Sequence, residues 1–465
     1  MLKIKRDEAG NIERYKARLV ALGFLQKKGR DFAETFSPTP QVALLQTMLA
    51  IAAEKDLETD HVDIKTAFLN GDIDCELYIR LPDGSCRQLL KGLYGLKQAG
   101  RLWNKKFHHT LISLGFKRCQ NDPCCYVLRD DIVLIMHVDD CIIFGASKER
   151  IKRFKIDLAK VYKIKDLGPI KFALEWEIKR DRVARTLTIN QMQNTLDVLK
   201  KFNMMNQRTA STPAFPNMTY SKIQCPKTEE EKLLMRKTPY LQALGSLIYL
   251  SVSTRPDISQ AVSVLAQYAS NPGQIHWEGI VRIFKYLLGT AGYGLSYGHL
   301  IDDKQLRGFS DASYGNCVDT RRSRYGGMLL VNNGPVEWTS KLTQIVTLSS
   351  MEAEYIGACE LVRTAVWLRR CMGEVGFVQN NSTAVGYDNK SSIIFANEAM
   401  VQNRSKHIDT RYHYVREKIA DKSVRLFYLP TKEMPADLLT KPLGVGPFEK
   451  CRKSMGLLKI CEDRD

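Results

Sequence analysis

Apolar and polar positions follow two different periods along this chain, and the change of period marks its elements. Residues 132–144 read I-V-L-I-M-H-V-D-D-C-I-I-F, a short β-branched run, two adjacent aspartates and a second apolar run. That pattern predicts two buried strands joined by a tight hairpin with Asp139 and Asp140 at its tip. Residues 41–57 carry apolar side chains at helical spacing, and residues 57–69 predict a strand delivering Asp63 before a turn toward Phe68. Residues 14–21 alternate basic with apolar positions, as a half-exposed strand does, with Lys16 and Arg18 on one face. Prolines at 213, 216, 226 and 239 mark residues 206–239 as a linker, and 240–269 and 276–288 predict amphipathic helices. The last third returns to strands: 306–313, ending near Asp311; 325–339, a hairpin turning at Asn332-Asn333-Gly334; and 383–387, ending before Asp388. A long helix over 350–373 lies between them.

Length and charge narrow the class. A chain of 465 residues with 44% hydrophobic content accommodates two to four packed domains. No apolar run reaches the roughly 18 residues of a membrane span, and the N-terminus lacks a signal-peptide core. The expectation is no membrane partner. Twelve scattered cysteines form no C-x-x-C pair, which favours a reduced intracellular protein without a zinc site. The formal charge of +18 favours a polyanionic partner, nucleic acid first.

Candidate chemistry lies in the carboxylates. Two aspartates between buried strands repel each other and lose solvation unless a cation neutralises them. Asp-Asp is also a common turn pair, so Asp63 matters as a third acid. Two-metal phosphoryl transfer needs carboxylates that hold two Mg²⁺ roughly 3.5–4 Å apart. A strand acid and a hairpin pair can form such a cage. Gln98 and Arg101, in the glycine-punctuated stretch 92–103, are candidates to meet a nucleotide or template, although a plain helix-entry loop explains the same residues. In the last third, Glu354 shares a helix face with Met351, Ala358, Leu361, Ala365 and Leu368, so it should meet the core. Glu352 falls about 200° away, on a face running to Arg363 and Arg370. A core-facing glutamate needs a partner or a metal, which singles out Glu354. Helix capping is a rival role for Asp388, and a cap is also a possible use of Asp437.

K-A-R-L-V-A-x-G-F, E-T-F-S-P, D-I-K-T-A-F-L-N-G, L-Y-G-L-K-Q-A and V-D-D resemble the reverse transcriptase of copia-type (Pseudoviridae) retrotransposon polyproteins. F-S-D-A-S, L-S-S-x-E-A-E-Y, Y-D-N-K-S, S-K-H-I-D-T-R-Y-H and A-D-L-L-T-K-P-L resemble the RNase H domain of the same family. The resemblance implies an α+β architecture: right-hand polymerase palm and fingers with a helical thumb or connection, then an RNase H-like α/β domain. The expected boundaries are 1–205, 206–300 and 301–445, with 446–465 as a basic C-terminal tail, and the family's domain begins a few dozen residues before Met1. It implies metal binding by Asp63, Asp139 and Asp140 in one site and by Asp311, Glu354, Asp388 and Asp437 in the other, with two Mg²⁺ in each. The implied partners are an RNA template, a DNA primer, an RNA–DNA hybrid and deoxynucleoside triphosphates. The implied location is cytoplasmic, within a virus-like particle, or nuclear. Lys16, Arg18, Gln98 and Arg101 are the candidate substrate contacts. His407 lies in a family motif, with structural packing the leading reading. The chain departs from the family at His137 (usually Tyr), Gly100 (usually Pro) and Glu175 (usually Gly), and residues 81–91 are shortened. A non-catalytic nucleic-acid binder is the alternative class.

Overall fold

The computed structural model describes residues 2–6, 12–129, 131–216, 218–298, 305–390, 393 and 409–460. The chain forms two compact units, residues 1–41 with 57–170, and residues 42–56 with 171–465. His407 lies outside the described residues.

The first unit is built on a six-stranded antiparallel sheet. Its order is Ile164–Pro169, Glu58–Ile64, Asp140–Gly145, Ile132–His137, Cys125–Leu128, Lys117–Arg118. The hairpin Ile132–His137/Asp140–Gly145 lies inside the sheet, which explains why its apolar runs are nearly continuous, whereas Glu58–Ile64 beside it mixes buried and half-buried positions. Helix Ala99–Ser113 presents Trp103, Phe107 and Leu111 at i, i+4 and i+8 to the core containing Leu134, Met136 and Ile143. Helix Lys148–Val161 adds Ile151, Phe154 and Leu158. Its Lys155, 7% exposed, pairs with Asp60 and, at 2.7 Å, with Asp166. This is the palm expected from the sequence.

The second unit contains two five-stranded sheets. One is wholly antiparallel, in the order Phe172–Ala173, Trp176–Asp181, Thr186–Asn190, Tyr293–Tyr297, Leu457–Lys459. The other runs Gly334–Leu342, Arg324–Val331, Arg307–Ser313, Thr383–Tyr387, Val424–Tyr428; the last three strands are mutually parallel and the first pairs antiparallel. Helix Ser350–Glu374 packs on the strands Arg307–Ser313 and Arg324–Val331. This is the RNase H-like α/β domain, following the sequence order third, second, first, fourth, fifth. Asn332 and Asn333 both adopt positive φ (50° and 64°) in the hairpin turn, as the Asn-Asn-Gly signal predicts.

Three expectations need correction. Helix Val42–Lys55, assigned to the first domain by its position in sequence, belongs to the second unit. There Gln46 donates to the Ser253 carbonyl (2.7 Å) and Asn332 donates to the Ala50 carbonyl (3.1 Å). The supposed C-terminal tail is also structured: helix Val445–Ser454 leads to Leu457–Lys459, which completes a sheet, with Met455 and Leu457 fully buried. Finally, residues 240–269 are not one helix. Tyr240–Ser253 ends before Pro256, which opens a short 3₁₀ turn, and Ser259–Ala266 follows.

That break holds a buried polar network. Asp257 accepts from Arg255 Nε (3.0 Å) and Nη2 (2.8 Å), and Arg255 Nη1 donates to the Thr290 carbonyl (2.9 Å). Tyr286 donates to Asp257, and Arg452 of the C-terminal helix donates to Tyr286 (3.2 Å). Removing Asp257 strands a buried guanidinium. Asp257→Ala should therefore lower unfolding free energy by about 3–5 kcal/mol in urea titration; a loss below about 1 kcal/mol would mean the network contributes little.

Glu175 has a backbone explanation. It and Leu174 form the two-residue turn between Phe172–Ala173 and Trp176–Asp181, at φ 60° and 53°. Such turns favour glycine because an L side chain in the left-handed region costs roughly 1–2 kcal/mol. Glu175→Gly should stabilise the chain by about 1 kcal/mol, read from the urea midpoint; destabilisation would show that the Glu175 side chain makes a compensating contact.

Candidate active sites

The first site grows from strand register. Asp63 lies directly opposite Asp140, and His137 pairs with Asp140 across the hairpin. Opposed residues of an antiparallel pair bring their Cβ atoms to about 4.5–5.5 Å, so Asp63 and Asp140 are neighbours on one face. Asp139 occupies the turn, where its carbonyl accepts from Ile64 N (2.8 Å). Val138 holds φ at 58°, a conformation that a β-branched residue rarely adopts, and its carbonyl accepts from Trp103 Nε1 (2.7 Å). The buried tryptophan thus anchors a strained turn that presents Asp139. Burial raises the Asp139 carboxyl above its ordinary value, and the charges of Asp140 and Asp63 add to the rise.

Sequence reasoning missed His61. It shares a strand face with Asp63, two residues away, and its Nε2 lies 2.8 Å from Asp140 Oδ1. Among the described residues these three aspartates are not a set whose oxygens all approach within 4.8 Å. The strand alternation contained the signal, because a histidine at i−2 from a strand acid faces the same way.

The proposed substrate contacts divide. Arg18 lies over the Tyr94 ring at 4.6 Å, and its charge acts on Asp139, so it borders the aspartates. Gly95, at φ 91°, makes this loop possible: a Cβ there would lie 2.2 Å from the Ala21 carbonyl oxygen. Gln98 is turned inward. It is 1% exposed, donates to the Asp31 carbonyl (3.0 Å) and accepts from Gln26 Nε2 (3.1 Å). Arg101 is tied to Asp74 (2.7 Å) and lies near Glu34 (3.7 Å). Both hold the loop together instead of reaching outward. The Lys16 side chain lies outside what is described.

The second site closes more tightly. Asp311 on the central strand, Glu354 on the long helix and Asp388 just past Thr383–Tyr387 bring carboxylate oxygens within 4.8 Å of one another. Gly357 allows the approach of helix to strand, since a Cβ there would lie 3.0 Å from Tyr325 Cβ and 3.3 Å from Ser310 Oγ. Glu354 Oε1 accepts from Ala312 N (3.1 Å), whereas its buried Oε2 has no hydrogen-bond partner. Asp388 accepts from Thr431 Oγ1 (3.0 Å). Asp437, in the 3₁₀ turn Pro435–Leu439, stands outside the triad and pairs with Lys441 (2.9 Å); Thr440 donates to Asp311. Thr440 and Lys441 were not anticipated, although Lys441 lies one helical step beyond Asp437.

Burial pushes the Asp311 carboxyl up to about 6, with Asp437 adding repulsion. Burial pushes Glu354 up to about 9, with Asp311 and Asp388 adding to it. Asp388 is raised by burial and by Asp311. Although burial opposes it, the charges of Asp311, Asp437 and Asp388 raise the Lys441 ammonium. An orphaned buried oxygen among mutually repelling carboxylates fits a divalent cation.

Glu352 was expected on the open face of the helix. It is 5% exposed, because its carboxylate folds back to accept from Leu348 N (2.7 Å) while Ser349 Oγ caps Glu352 N (3.1 Å). It serves the helix N-terminus.

A palm sheet with an aspartate hairpin and an RNase H-like sheet with four nearby carboxylates together define a fold of the reverse transcriptase class. Residues 1–216 match the family model described as reverse transcriptase (RNA-dependent DNA polymerase). The chain is 41% identical over 470 residues to a retrovirus-related Pol polyprotein from transposon TNT 1-94 of Nicotiana tabacum, spanning 98% of this chain and 35% of that protein. It is 30% identical over 313 residues to a transposon Ty5-1 protein of Saccharomyces cerevisiae, spanning 65% of this chain and 99% of that protein. A foamy viral protease–reverse transcriptase in complex with dsDNA aligns at TM-score 0.44 and 13% identity, over 80% of this chain and 68% of that one. The chain belongs to the reverse transcriptase family of retrovirus-related transposon Pol polyproteins. It spans about a third of the length of the tobacco polyprotein it matches.

The raised carboxyls make a signed prediction. Their folded-state values lie above the unfolded ones, so the folded state binds more protons. That contribution is complete below about pH 4 and is lost as pH climbs through about 6 and then about 9. In EDTA at pH 9, Glu354→Gln should be more stable than the parent, by on the order of 2 kcal/mol, with the gap closing at pH 5. Adding Mg²⁺ at pH 9 should stabilise the parent more than the variant. Parallel urea titrations check this; a gap independent of pH would contradict it.

Proposed function

We propose that this chain is an RNA-directed DNA polymerase with RNase H activity, each reaction run on its own carboxylate set. The observation that carries the reading is the Asp311–Glu354–Asp388 cluster with its orphaned Glu354 oxygen, on a sheet separate from the Asp63–Asp139–Asp140 hairpin. Magnesium ions, two per site, would activate the attacking hydroxyl or water and steady the leaving oxygen. Asp63, Asp139 and Asp140 would hold them in the palm, and Asp311, Glu354, Asp388 and Asp437 in the nuclease.

The remaining roles belong to the chain's own groups. Trp103 fixes the Val138 carbonyl and so the direction in which Asp139 points. Arg18 offers a guanidinium beside the aspartates for the phosphates of a deoxynucleoside triphosphate. Ala312 N holds Glu354 Oε1 and leaves Oε2 for the ion. The +18 charge serves contacts with RNA template, DNA primer and RNA–DNA hybrid that are largely independent of sequence. One observation favours a second reading, a nucleic-acid binder that does not polymerise: Asp140 is engaged by His61.

Two variants separate the reactions. Asp139→Asn should reduce Mg²⁺-dependent primer extension on an RNA template by several orders of magnitude, because an amide cannot neutralise the metals. RNA cleavage in a preformed hybrid should survive. Glu354→Gln should do the reverse, and Glu352→Gln should retain both reactions while losing about 1 kcal/mol of stability. Extension that is undiminished in Asp139→Asn ends the polymerase reading. Extension absent from the parent, with normal hybrid binding, favours the second reading.

A further inference from the structure

The carboxylate of Asp140 already has a partner, and the metal chemistry does not use it. His61 Nε2 lies 2.8 Å from Asp140 Oδ1. An ionised carboxylate only accepts, so the imidazole donates. The two side chains differ in freedom: that of His61 is 8% exposed and that of Asp140 is 31% exposed. The imidazole is packed in place, and the carboxylate has room to move.

Strand register gives the contact a direction. Asp140 pairs with Asp63, whereas His61 pairs with Ile142, two residues further along each strand. At the other end Ile64 N donates to the Asp139 carbonyl (2.8 Å), so the hairpin tip lies beyond Asp63. His61 therefore sits on the side of Asp140 that faces away from Asp139, about 6.6 Å back along its strand from Asp63. A hydrogen bond from that side opposes convergence of Asp140 with Asp139. The two carboxylate sets differ accordingly. Oxygens of Asp311, Glu354 and Asp388 lie within 4.8 Å of one another, and among the described residues the palm aspartates form no such group.

We propose that His61 is a latch, a positioning residue that holds Asp140 back from the other two aspartates until divalent cations draw it off. The inference rests on the polymerase reading only in taking Asp63, Asp139 and Asp140 as the ligands of those cations. A latch lowers apparent affinity by the fraction of molecules in which the site is competent. A hydrogen bond to a charged group biases such a fraction by about tenfold to a hundredfold. The contact needs only an N–H at that place. Glutamine offers one at nearly the same reach without a titrating ring, asparagine is one methylene too short, and leucine has none.

The parent, His61→Gln, His61→Asn and His61→Leu are compared with a DNA–DNA primer–template ending in a dideoxynucleotide, so that nothing is extended or cleaved. Free Mn²⁺ is read by electron paramagnetic resonance, and the palm's share is the part that Asp139→Asn removes. His61→Leu and His61→Asn should bind that share about tenfold more tightly than the parent, and His61→Gln should bind it as the parent does. In primer extension the Mg²⁺ needed for half-maximal rate should fall by the same factor in His61→Leu and His61→Asn, with the maximal rate within about twofold. The Mg²⁺ requirement of hybrid cleavage should be the same in all four. A lower maximal rate with an unchanged Mg²⁺ requirement would make His61 structural and overturn the latch. Weaker palm binding in His61→Leu and His61→Asn would make it a support for a ligand, and equal or absent palm binding in all four would leave it no role; each overturns the latch.

If both loss variants fail to fold, ¹⁵N-histidine spectra of the parent decide, with the His61 signal assigned by its absence from His61→Gln. That signal should move on saturation with Mg²⁺ in the parent and stay in Asp139→Asn; a fixed signal in the parent overturns the latch. Extension absent from the parent at every Mg²⁺ concentration, with palm Mn²⁺ binding that tightens in His61→Leu, refutes the polymerase reading and leaves the latch standing.

Discussion

Mutual repulsion among carboxylates withdrawn from water is the constraint around which this chain is arranged. The second unit gathers Asp311, Glu354 and Asp388 so closely that burial and like charge push Glu354 up to about 9. A fold that tolerates this must supply either protons or cations, and it surrounds the cluster with supports that keep the acids in place. Gly357 lets the long helix approach the central strand, the 3₁₀ turn Pro435–Leu439 brings up Asp437, and Lys441 offsets part of the charge. The first unit meets the same constraint by other means. Its aspartates are set by register and by a strained turn, and His61 engages Asp140.

The supports are long-range, which explains the division between what could be read from the sequence and what could not. The hairpin 132–144 was legible because a β-branched run interrupted by two acids has few other uses. The turn at Asn332-Asn333-Gly334 was legible because it needs two residues at positive φ. Glu354 was separable from Glu352 by helical phase alone. The reason assumed for Glu352 was nevertheless wrong, because a short carboxylate can fold back onto its own helix start and become buried there.

The internal contacts of Gln98 and Arg101 were not legible for a related reason. Their partners, the Asp31 carbonyl and the Asp74 carboxylate, are 67 and 27 residues away, and no periodicity reports such contacts. Helix Val42–Lys55 was assigned by sequence adjacency, yet its face is completed by Ser253 and Asn332. Buried ionic pieces such as Arg255–Asp257 were likewise invisible, since charge in sequence reads as exposure until packing shows otherwise.

On the proposed function, two separate carboxylate sets would each hold a pair of divalent cations. Crystals of the chain with RNA–DNA hybrid, grown in manganese and measured at its absorption edge, test it most directly. Anomalous peaks are expected at Asp63–Asp139–Asp140, with Asp140 released from His61, and in a second group at Asp311–Glu354–Asp388. Fully formed hybrid density with no peak at either set, or with peaks only at surface acids, would contradict it.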